Sequence, residues 1–462
     1  MKNKILILFN IFAIPLFFCD YTSIKTKRNV LMENLNNSFF LNNETYQDFD
    51  NSSQNFDQEG NNPIFTMIKL YNYKDVQYSG DIYVGTPYKK FYVIYDTGSN
   101  LFWLPSVNCT LKCRNETNKY DPELSSTSKN LHIKKNISYA KGFIKGKLFK
   151  DKVGLNKQSI FSFLYNKEMF VDDFKIIAAY KEKYLFRAIF DGIVGLGIND
   201  EGDINNSLIK LLYNQNKISV PSFSFYLLSY KGNNNTNYIS RLYIGDILEN
   251  NYINNLFKNK TKYCYLPGRN DYWMCESQFI KFEKLNTTKT LNSKSGVIFD
   301  TGTSYTIIPN NDSNFVMNYF NNTLGKKCFI TKFHQIICEC NSEKDFGNMK
   351  IYFDEENYFL INFEDLIDYN RNFRYQCHFK ILMSNLEFGM WVIGDSSLRG
   401  NLITFNMKER KINFVQNISE IIDDNKISRS KIFQGRLNSF WIWIIIIIGI
   451  LAIVAIIYYF FK

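Results

Sequence analysis

Between about Leu70 and Gln416 the chain alternates short apolar runs with polar positions, and Gly, Asn and Asp separate the runs. Asp81–Pro87 and Lys90–Tyr95 are typical examples. An alternation with a period of two residues, interrupted by turn-forming residues, predicts short β-strands rather than helices. The pattern therefore indicates a β-rich body that occupies most of the 462 residues.

Two longer apolar runs flank this body. Ile5–Cys19 follows Lys2 and Lys4, which is the arrangement of a secretory signal peptide, predicted here over 1–19. Residues 440–461 are uniformly apolar, and at about 1.5 Å per residue they can cross a bilayer core of about 30 Å. Aromatic residues suited to the membrane interface lie near both ends of this run: Trp441, Trp443, Tyr458 and Tyr459. These features predict a single-pass membrane protein with a lumenal or extracellular body. An uncleaved N-terminal anchor and a C-terminal lipid-anchor signal are alternatives.

The segment before the body is polar and Asn-rich, which is typical of a flexible pro-segment. From Val30 to Phe65 it contains no Lys or Arg, but acidic residues accumulate: Glu33, Glu44, Asp48, Asp50, Asp57 and Glu59. The Asn-rich stretch Glu249–Asn259 lies near the middle of the body and indicates a boundary between two lobes. The predicted divisions after the signal peptide are a pro-segment (20–70), an N-terminal β lobe (71–248), a C-terminal β lobe (249–416), a polar stalk (417–439) and a transmembrane helix (440–461).

Charge and composition exclude several function classes. The net charge is +11, but 55 basic and 44 acidic residues are interspersed, without the basic, aromatic-rich stripe that would indicate a nucleic-acid partner. The three histidines lie far apart, and neither an HExxH nor a paired CxxC pattern occurs, so we expect no metal and no cofactor. A serine or cysteine hydrolase lacks support because no Gly-x-Ser-x-Gly motif is present.

The cysteines fit an oxidising compartment. Of nine, Cys19 belongs to the predicted signal peptide, which leaves an even number in the body. Proximity favours Cys109–Cys113 and Cys264–Cys275. The other four are expected to pair as Cys328–Cys338 and Cys340–Cys377, although the sequence leaves their connectivity open.

An internal repeat is the most informative feature of the chain. Tyr92–Ser99 is matched by Gly296–Thr303, and each copy is an apolar strand that runs into Asp-Thr-Gly and then a hydroxyl residue. Downstream of each copy lies an apolar-apolar-Gly element, within Phe190–Gly197 in the first half and Trp391–Asp395 in the second. Two similar halves, each with one aspartate at the end of a buried strand, predict a twofold arrangement that brings the aspartates together.

Asp96 and Asp300 are therefore the predicted catalytic pair. Two adjacent carboxylates cannot both ionise cheaply, so they share a proton. The ionised oxygen can then act as a base toward water while the protonated carboxyl donates to a carbonyl oxygen. That combination hydrolyses peptides without a covalent intermediate.

The residues beside each aspartate are predicted to support the pair. Gly98 and Gly302 allow a close backbone approach, and the hydroxyl groups of Ser99 and Thr303 are placed to donate to the outer carboxylate oxygens. Thr97 and Thr301 would bond across to the opposite backbone. The competing interpretation is two unrelated Asx turns.

These motifs resemble the pepsin-like aspartic proteases, and among them most of all the apicomplexan plasmepsins. The resemblance covers about residues 70–416 and rests on motifs along the whole body: Tyr78-Ser-Gly80, Gly85-Thr-Pro87, Asp96–Ser106, Phe190-Asp-Gly192, Phe223–Tyr226, Tyr272-Trp273, Asp300–Ser304 and Val392–Asp395. It implies an all-β, bilobal fold with the active cleft between two pseudo-twofold-related lobes. It also implies that the protein acts as a monomer on an extended polypeptide held under a hairpin flap.

The resemblance also assigns the flap. Tyr139 would be the flap tyrosine, with Gly142 nearby and its hydroxyl bonded to the indole of Trp103. The usual Gly and Thr or Ser after this tyrosine are replaced by Ala140 and Lys141, which changes the expected subsite preference. The pro-segment is also short of bases, so Lys69 or Lys74 would have to neutralise the pair, or inhibition would be steric.

The resulting hypothesis is a membrane-tethered aspartic endopeptidase made as a zymogen in the secretory pathway. Two alternatives are a catalytically silent pepsin-fold binding protein and a membrane-anchored adhesin. The first would be expected to lose one aspartate, and the second would not require the paired Asp-Thr-Gly motifs.

Overall fold

The computed structural model describes residues 65–110, 113, 117–139, 142–155, 169–183, 190–198, 206–229, 239–248, 250–257, 260–268, 272–284, 287–292, 295–369, 375–384, 389–416 and 418. The predicted signal peptide, the pro-segment up to residue 64 and the transmembrane run 440–461 lie outside these ranges, as does the predicted stalk except for residue 418. Within the described part, no helix has the length and apolar character needed to cross a membrane.

The chain is mostly β, as its alternating pattern predicts. The first half contributes strands β1 (Thr66–Tyr73), β2 (Gln77–Val84), β3 (Lys89–Asp96), β4 (Phe102–Pro105), β5 (Lys129–Tyr139), β6 (Gly142–Gly154), β7 (Phe170–Lys183), β8 (Gly192–Gly195), β9 (Ser222–Tyr226) and β10 (Ser240–Ile244). The second half contributes β11 (Thr261–Tyr265), β12 (Met274–Glu276), β13 (Phe279–Lys284), β14 (Thr287–Leu291), β15 (Gly296–Phe299), β16 (Thr306–Ile308), β17 (Cys328–Ile330), β18 (Gln335–Glu339), β19 (Asn348–Tyr352), β20 (Tyr358–Asn362), β21 (Ile367–Tyr369), β22 (Gln376–Met383), β23 (Met390–Ile393), β24 (Leu402–Asn406) and β25 (Lys411–Val415).

Helices are short and connect the strands. The α-helices are α1 (Leu208–Asn214), α2 (Asn251–Phe257), α3 (Asn310–Asn318) and α4 (Asp395–Leu398). A π-helical turn, Tyr319–Thr323, continues α3, and two 3₁₀ turns occupy Glu343–Asp345 and Phe363–Leu366.

The repeat in the sequence is also a repeat in the topology. In the first half, β3 runs parallel to β8, β8 is antiparallel to β4, and β4 is parallel to β7. In the second half, β15, β23, β16 and β22 are paired in the same directions. Each half thus places its Asp-Thr-Gly strand beside its apolar-apolar-Gly strand, which is the arrangement that two related lobes require.

The sheets do not follow the predicted division at residues 248 and 249. A 13-stranded sheet has the order β11-β25-β24-β9-β10-β1-β2-β3-β8-β4-β7-β6-β5, so three strands from the second half join it. An 8-stranded sheet (β12-β15-β23-β16-β22-β18-β17, with β21 on β22) and a 4-stranded sheet (β14-β13-β19-β20) complete the second half. β1 starts at Thr66, inside the predicted pro-segment 20–70, because its backbone pairs with both β2 and β10.

Aromatic side chains join the two halves in one core. The ring of Phe223 on β9 stacks on Phe405 of β24 with centroids 4.9 Å apart, and Trp273 packs edge-on against both at 5.7 and 5.1 Å. The indole Nε1 of Trp273 also donates to the carbonyl of Leu196 in the first half at 2.8 Å. These buried contacts fix the orientation of one half against the other.

Disulfides reinforce this framework. The described part contains the two that sequence proximity favours, Cys109–Cys113 and Cys264–Cys275, and it resolves the pairing that the sequence left open as the expected Cys328–Cys338 and Cys340–Cys377. Cys264 lies on β11 of the 13-stranded sheet and Cys275 on β12 of the 8-stranded sheet, so this bond joins two sheets.

We predict that replacing both Cys264 and Cys275 with alanine lowers the free energy of unfolding by about 3 kcal/mol. The disulfide closes a loop across a sequence separation of 11 residues, and without it the unfolded chain regains conformational entropy. Equilibrium denaturation measures the loss. The matched control is Cys109→Ala with Cys113→Ala, which opens a smaller loop, for an expected loss of about 2 kcal/mol. A loss at Cys264 and Cys275 no larger than in the control would contradict the prediction.

Candidate active site

Asp96 is the last residue of β3, and its backbone is fixed by the strand pairing and by a hydrogen bond from Leu196. Its strand is buried along its second half and pairs in parallel with β8, where Asp96 lies opposite Gly195. The backbone N–H of Leu196 donates to the carbonyl of Asp96 at 2.7 Å. The side chain is fully buried, so its position is set by the sheet rather than by solvent.

Asp300 occupies the equivalent position in the second half. It follows β15 directly, and its N–H donates to the carbonyl of Ile393 at the end of β23 at 3.0 Å. Its exposure is only 3%. The same strand pairing therefore delivers an aspartate to the same place in each half.

The two aspartates meet across the junction of the halves. Their carboxyls lie close enough for the charge of Asp300 to raise the pKa of Asp96. Each carboxyl also lies against the glycine of the opposite motif: a Cβ atom on Gly98 would be 2.6 Å from Oδ1 of Asp300, and one on Gly302 would collide with the carboxyl of Asp96. Only glycine fits at these two positions, because any larger residue would occupy the space of the other half's carboxyl.

Each carboxyl accepts two further hydrogen bonds from its own loop. Asp96 receives the N–H of Gly98 at 2.9 Å and the hydroxyl of Ser99 at 2.8 Å. Asp300 receives the N–H of Gly302 at 2.7 Å and the hydroxyl of Thr303 at 2.6 Å. Because both oxygens of each carboxyl are engaged, the two planes are fixed before any substrate arrives.

The threonines lock the two loops together. The hydroxyl of Thr97 donates to the carbonyl of Phe299 at 2.8 Å and accepts from the N–H of Thr301 at 2.9 Å. The hydroxyl of Thr301 donates to the carbonyl of Tyr95 at 2.7 Å and accepts from the N–H of Thr97 at 3.1 Å. Both side chains are buried, so these reciprocal bonds hold the two motifs in register without competition from water.

Burial and like charge govern the protonation of the pair. Burial raises the pKa of Asp96 well above its ordinary value, and the neighbouring charge of Asp300 raises it further. Burial also raises the pKa of Asp300, although hydrogen bonds from Thr303 and Gly302 oppose this change. The two groups titrate as a unit, and the arrangement favours one proton shared between them.

A third buried carboxyl lies next to the pair. Asp395 begins α4, its N–H donates to the carbonyl of Thr303 at 2.8 Å, and its side chain is only 2% exposed. Burial raises the pKa of Asp395 well above its ordinary value, and the nearby charge of Asp300 raises it further, whereas Arg399 lowers it. The equivalent position in the first half is Leu196, so the two halves differ electrostatically at this point.

Sequence reasoning missed Asp395 and the polar network that surrounds it. The guanidinium of Arg399 forms an almost buried ion pair with Asp75 at 3.0 Å. The hydroxyl of Ser229 donates to Asp75 at 2.8 Å. The available signal was the motif Val392–Asp395, whose last residue was matched as part of the repeat but given no role.

The predicted flap corresponds to the β5–β6 hairpin. Tyr139 and Gly142 face each other across its end, while Ala140, Lys141 and the side chain of Tyr139 lie outside the described residues. Trp103 on β4 is completely buried and packs in a cluster with Ile137 and Ile144 from the two hairpin strands. The tryptophan therefore supports the base of the hairpin from below.

No group of three or more His, Cys, Asp or Glu side chains suited to a metal ion occurs in the described ranges. The acid–base groups at the junction are the aspartates themselves.

The comparison with known proteins agrees with this geometry. The family model for eukaryotic aspartyl proteases matches residues 77–417. The chain belongs to this family. Among its relatives, renin from Echis ocellatus is 24% identical over 75% of this chain and 81% of its own length. Pregnancy-associated glycoprotein 1 from Sus scrofa is 28% identical over 62% of this chain and 68% of its own length. Pepsin A from Rhinolophus ferrumequinum is 32% identical over 35% of this chain and 39% of its own length.

Membership in this family makes the protein an aspartic endopeptidase, a hydrolase of peptide bonds. The family and the disulfides also indicate a secretory or extracellular setting, because such bonds persist where the environment is oxidising.

We predict that Gly302→Ala lowers kcat by about 100-fold, because the new methyl group displaces the Asp96 carboxyl from the geometry that the pair requires. Steady-state kinetics on a peptide substrate measures the effect. Gly389→Ala is the matched control, since the nearest atom to its Cβ position lies 4.0 Å away. Activity of the Gly302 variant within a few fold of the control would show that the contact is not critical.

The buried carboxyls predict that stability falls as pH rises. A carboxyl whose folded pKa is raised stabilises the fold fully below its unfolded pKa of about 4, and that contribution is lost as pH rises through the folded value. Each such group can contribute up to about 1.4 kcal/mol per pH unit while the two states differ in protonation.

We expect Asp395→Asn to flatten this decline, because one group with a raised pKa is removed. Unfolding free energies between pH 4 and 7 measure the slope. Asp365→Asn, at an exposed position, is the control and should leave the slope unchanged. An unaltered slope in the Asp395 variant would be inconsistent with a titrating carboxyl at this position.

Proposed function

We propose that this endopeptidase hydrolyses peptide bonds with a water molecule activated between Asp96 and Asp300. The observation that carries the proposal is the juxtaposition of these two buried carboxyls at the junction of the halves, each packed against the glycine of the opposite Asp-Thr-Gly motif. The ionised carboxyl removes a proton from water while the protonated carboxyl donates to the scissile carbonyl oxygen. The water oxygen attacks the carbonyl carbon to give a tetrahedral diol. Its C–N bond then breaks as the amine nitrogen takes up the proton that the pair removed from water, and no covalent intermediate with the protein is needed.

The remaining residues of the two loops are proposed to preorganise the pair. Gly98, Ser99, Gly302 and Thr303 supply the hydrogen bonds that orient the carboxyls, and Thr97 and Thr301 hold the loops together. Oriented donors that are already in place require little reorganisation during the reaction.

An extended polypeptide is the proposed substrate, bound under the β5–β6 hairpin. Tyr139 and Gly142 would line the substrate side of the hairpin, and Trp103 would support it. The resemblance to the plasmepsins within the family rests on sequence motifs and stays a prediction, as does action as a monomer.

We further propose that the enzyme is made as a zymogen in the secretory pathway and tethered by residues 440–461. The support is in the sequence: the apolar run after Lys2 and Lys4, the polar segment before the body and the apolar run near the C-terminus. Cys109–Cys113 and the other three disulfides are compatible with this route.

The central test replaces each aspartate separately. Asp96→Asn and Asp300→Asn should each lower kcat/KM by more than about 1,000-fold, because a neutral amide cannot take part in the shared protonation. Thermal unfolding should show that both variants stay folded. The control is Asp365→Asn, an exposed carboxyl, which should retain full activity.

Cleavage of an unstructured protein at mildly acidic pH and inhibition by a statine-type transition-state analogue should accompany these results. Near-full activity in either asparagine variant would refute the proposed pair.

A further inference from the structure

The outer face of the hairpin sheet carries an unusual row of lysines. Lys134 of β5 lies directly opposite Lys147 of β6, and both side chains are exposed. Lys145 of β6 lies directly opposite Lys181 of β7. We call these four residues the lysine face. It is turned away from the Trp103 cluster, because the alternate residues Ile137 and Ile144 form the buried side.

This arrangement works against the stability of the hairpin. Like charges directly opposite each other on neighbouring strands are destabilising. Elsewhere on the same strands the repulsion is relieved, since Asp173 forms ion pairs with Lys129 at 2.9 Å and with Lys150 at 3.9 Å. Within the described ranges, none of the four ammonium groups of the lysine face forms an ion pair.

An aromatic ring lies among these charges. The Nζ atoms of Lys145 and Lys181 are 5.8 and 5.9 Å from the ring centroid of Phe143, which is half-buried. The lysine face therefore combines positive charge with an accessible apolar contact, which suits a partner that is both acidic and aromatic.

The chain itself contains a segment with this chemistry. Residues 30–64 include no Lys or Arg, and their acidic residues are interspersed with aromatic ones, as in Asp48-Phe49-Asp50 and Phe56-Asp57. Fully extended, a segment of this length spans up to about 115 Å. It joins the fold at β1, which pairs with β2, and β2 in turn pairs with β6 of the hairpin. The lysine face is within reach.

We propose that residues 30–64 dock on the lysine face and hold the β5–β6 hairpin in the precursor, which keeps the enzyme latent. This inference rests on the proposed function in one respect, that the chain is made as a zymogen. Docking places carboxylates next to the lysine face and so reduces the repulsion between its ammonium groups. It also restrains the hairpin from its outer side, and no basic residue of the segment has to enter the active cleft. Removal of the segment releases the hairpin and leaves the lysine face free.

The first experiment detects the docking without using activity. The full chain carrying Asp96→Asn is treated at low concentration with a carbodiimide, which joins lysines directly to carboxylates that touch them. Mass spectrometry of the monomeric product should find links from Lys134, Lys145, Lys147 or Lys181 to the acidic residues of 30–64. Adding Lys134→Glu and Lys147→Glu should reduce the links from the unchanged Lys145 and Lys181 at least about fivefold. The same charge change at Lys332 and Lys344, two exposed lysines of the second half, should leave them unchanged.

The second experiment measures latency in the full chain with both catalytic aspartates intact. Lys134→Glu with Lys147→Glu should raise the activity of the unprocessed chain at least about fivefold and leave the activity of the processed enzyme unchanged. Compensating changes, Asp48→Lys with Asp50→Lys, should restore latency. Raising the salt from 0.15 to 1 M should mimic the lysine variants, because the screening length falls from about 8 to about 3 Å.

The outcomes separate the two proposals. Links that are absent from the lysine face, or that persist in the Lys134 and Lys147 variant, overturn the docking. Latency that is unchanged by this variant, while Asp96→Asn abolishes activity, overturns the regulatory inference and leaves the proposed function intact. Activity that survives Asp96→Asn overturns the proposed function, whereas the crosslinks still report on docking.

Discussion

The structure depends on one constraint: two carboxyl groups that repel each other when both are ionised must nevertheless be buried side by side. Burial alone would separate them or neutralise both. The crossed hydrogen bonds of Thr97 and Thr301 prevent separation, because each hydroxyl bonds the backbone of both loops. The hydrogen bonds from Ser99 and Thr303 favour ionisation and so oppose full neutralisation. These opposing effects favour a single proton shared by the pair.

The twofold arrangement that creates the pair is not electrostatically symmetric. The strands, loops and hydrogen bonds around Asp96 and Asp300 are equivalent, but Leu196 in the first half corresponds to Asp395 in the second. The buried ion pair of Arg399 and Asp75 connects the second half to the turn between β1 and β2, in the middle of the 13-stranded sheet. Topology therefore brings the pair together, and the surrounding charges distinguish its two members.

Charge is also divided unevenly between the body and the segment before it. The lysine face lies on the outer side of the hairpin, whereas residues 30–64 are acidic. An acidic segment cannot neutralise a pair of aspartates, so the docking proposed above places this segment away from the cleft.

The sequence by itself determined the β-rich body, the repeated Asp-Thr-Gly motifs and the two cysteine pairs of shortest separation, Cys109–Cys113 and Cys264–Cys275, because each is encoded in a short stretch of the chain. It also predicted that Ser99 and Thr303 would bond the carboxyl three residues before them. Only the tertiary structure decided that β11, β24 and β25 join the sheet of the first half, since these pairings connect residues far apart in the chain. The placement of Asp395 beside Asp300 and the register that opposes Lys134 to Lys147 were decided in the same way. Both depend on the summed packing and hydrogen bonding of several strands, which no local pattern of residues contains.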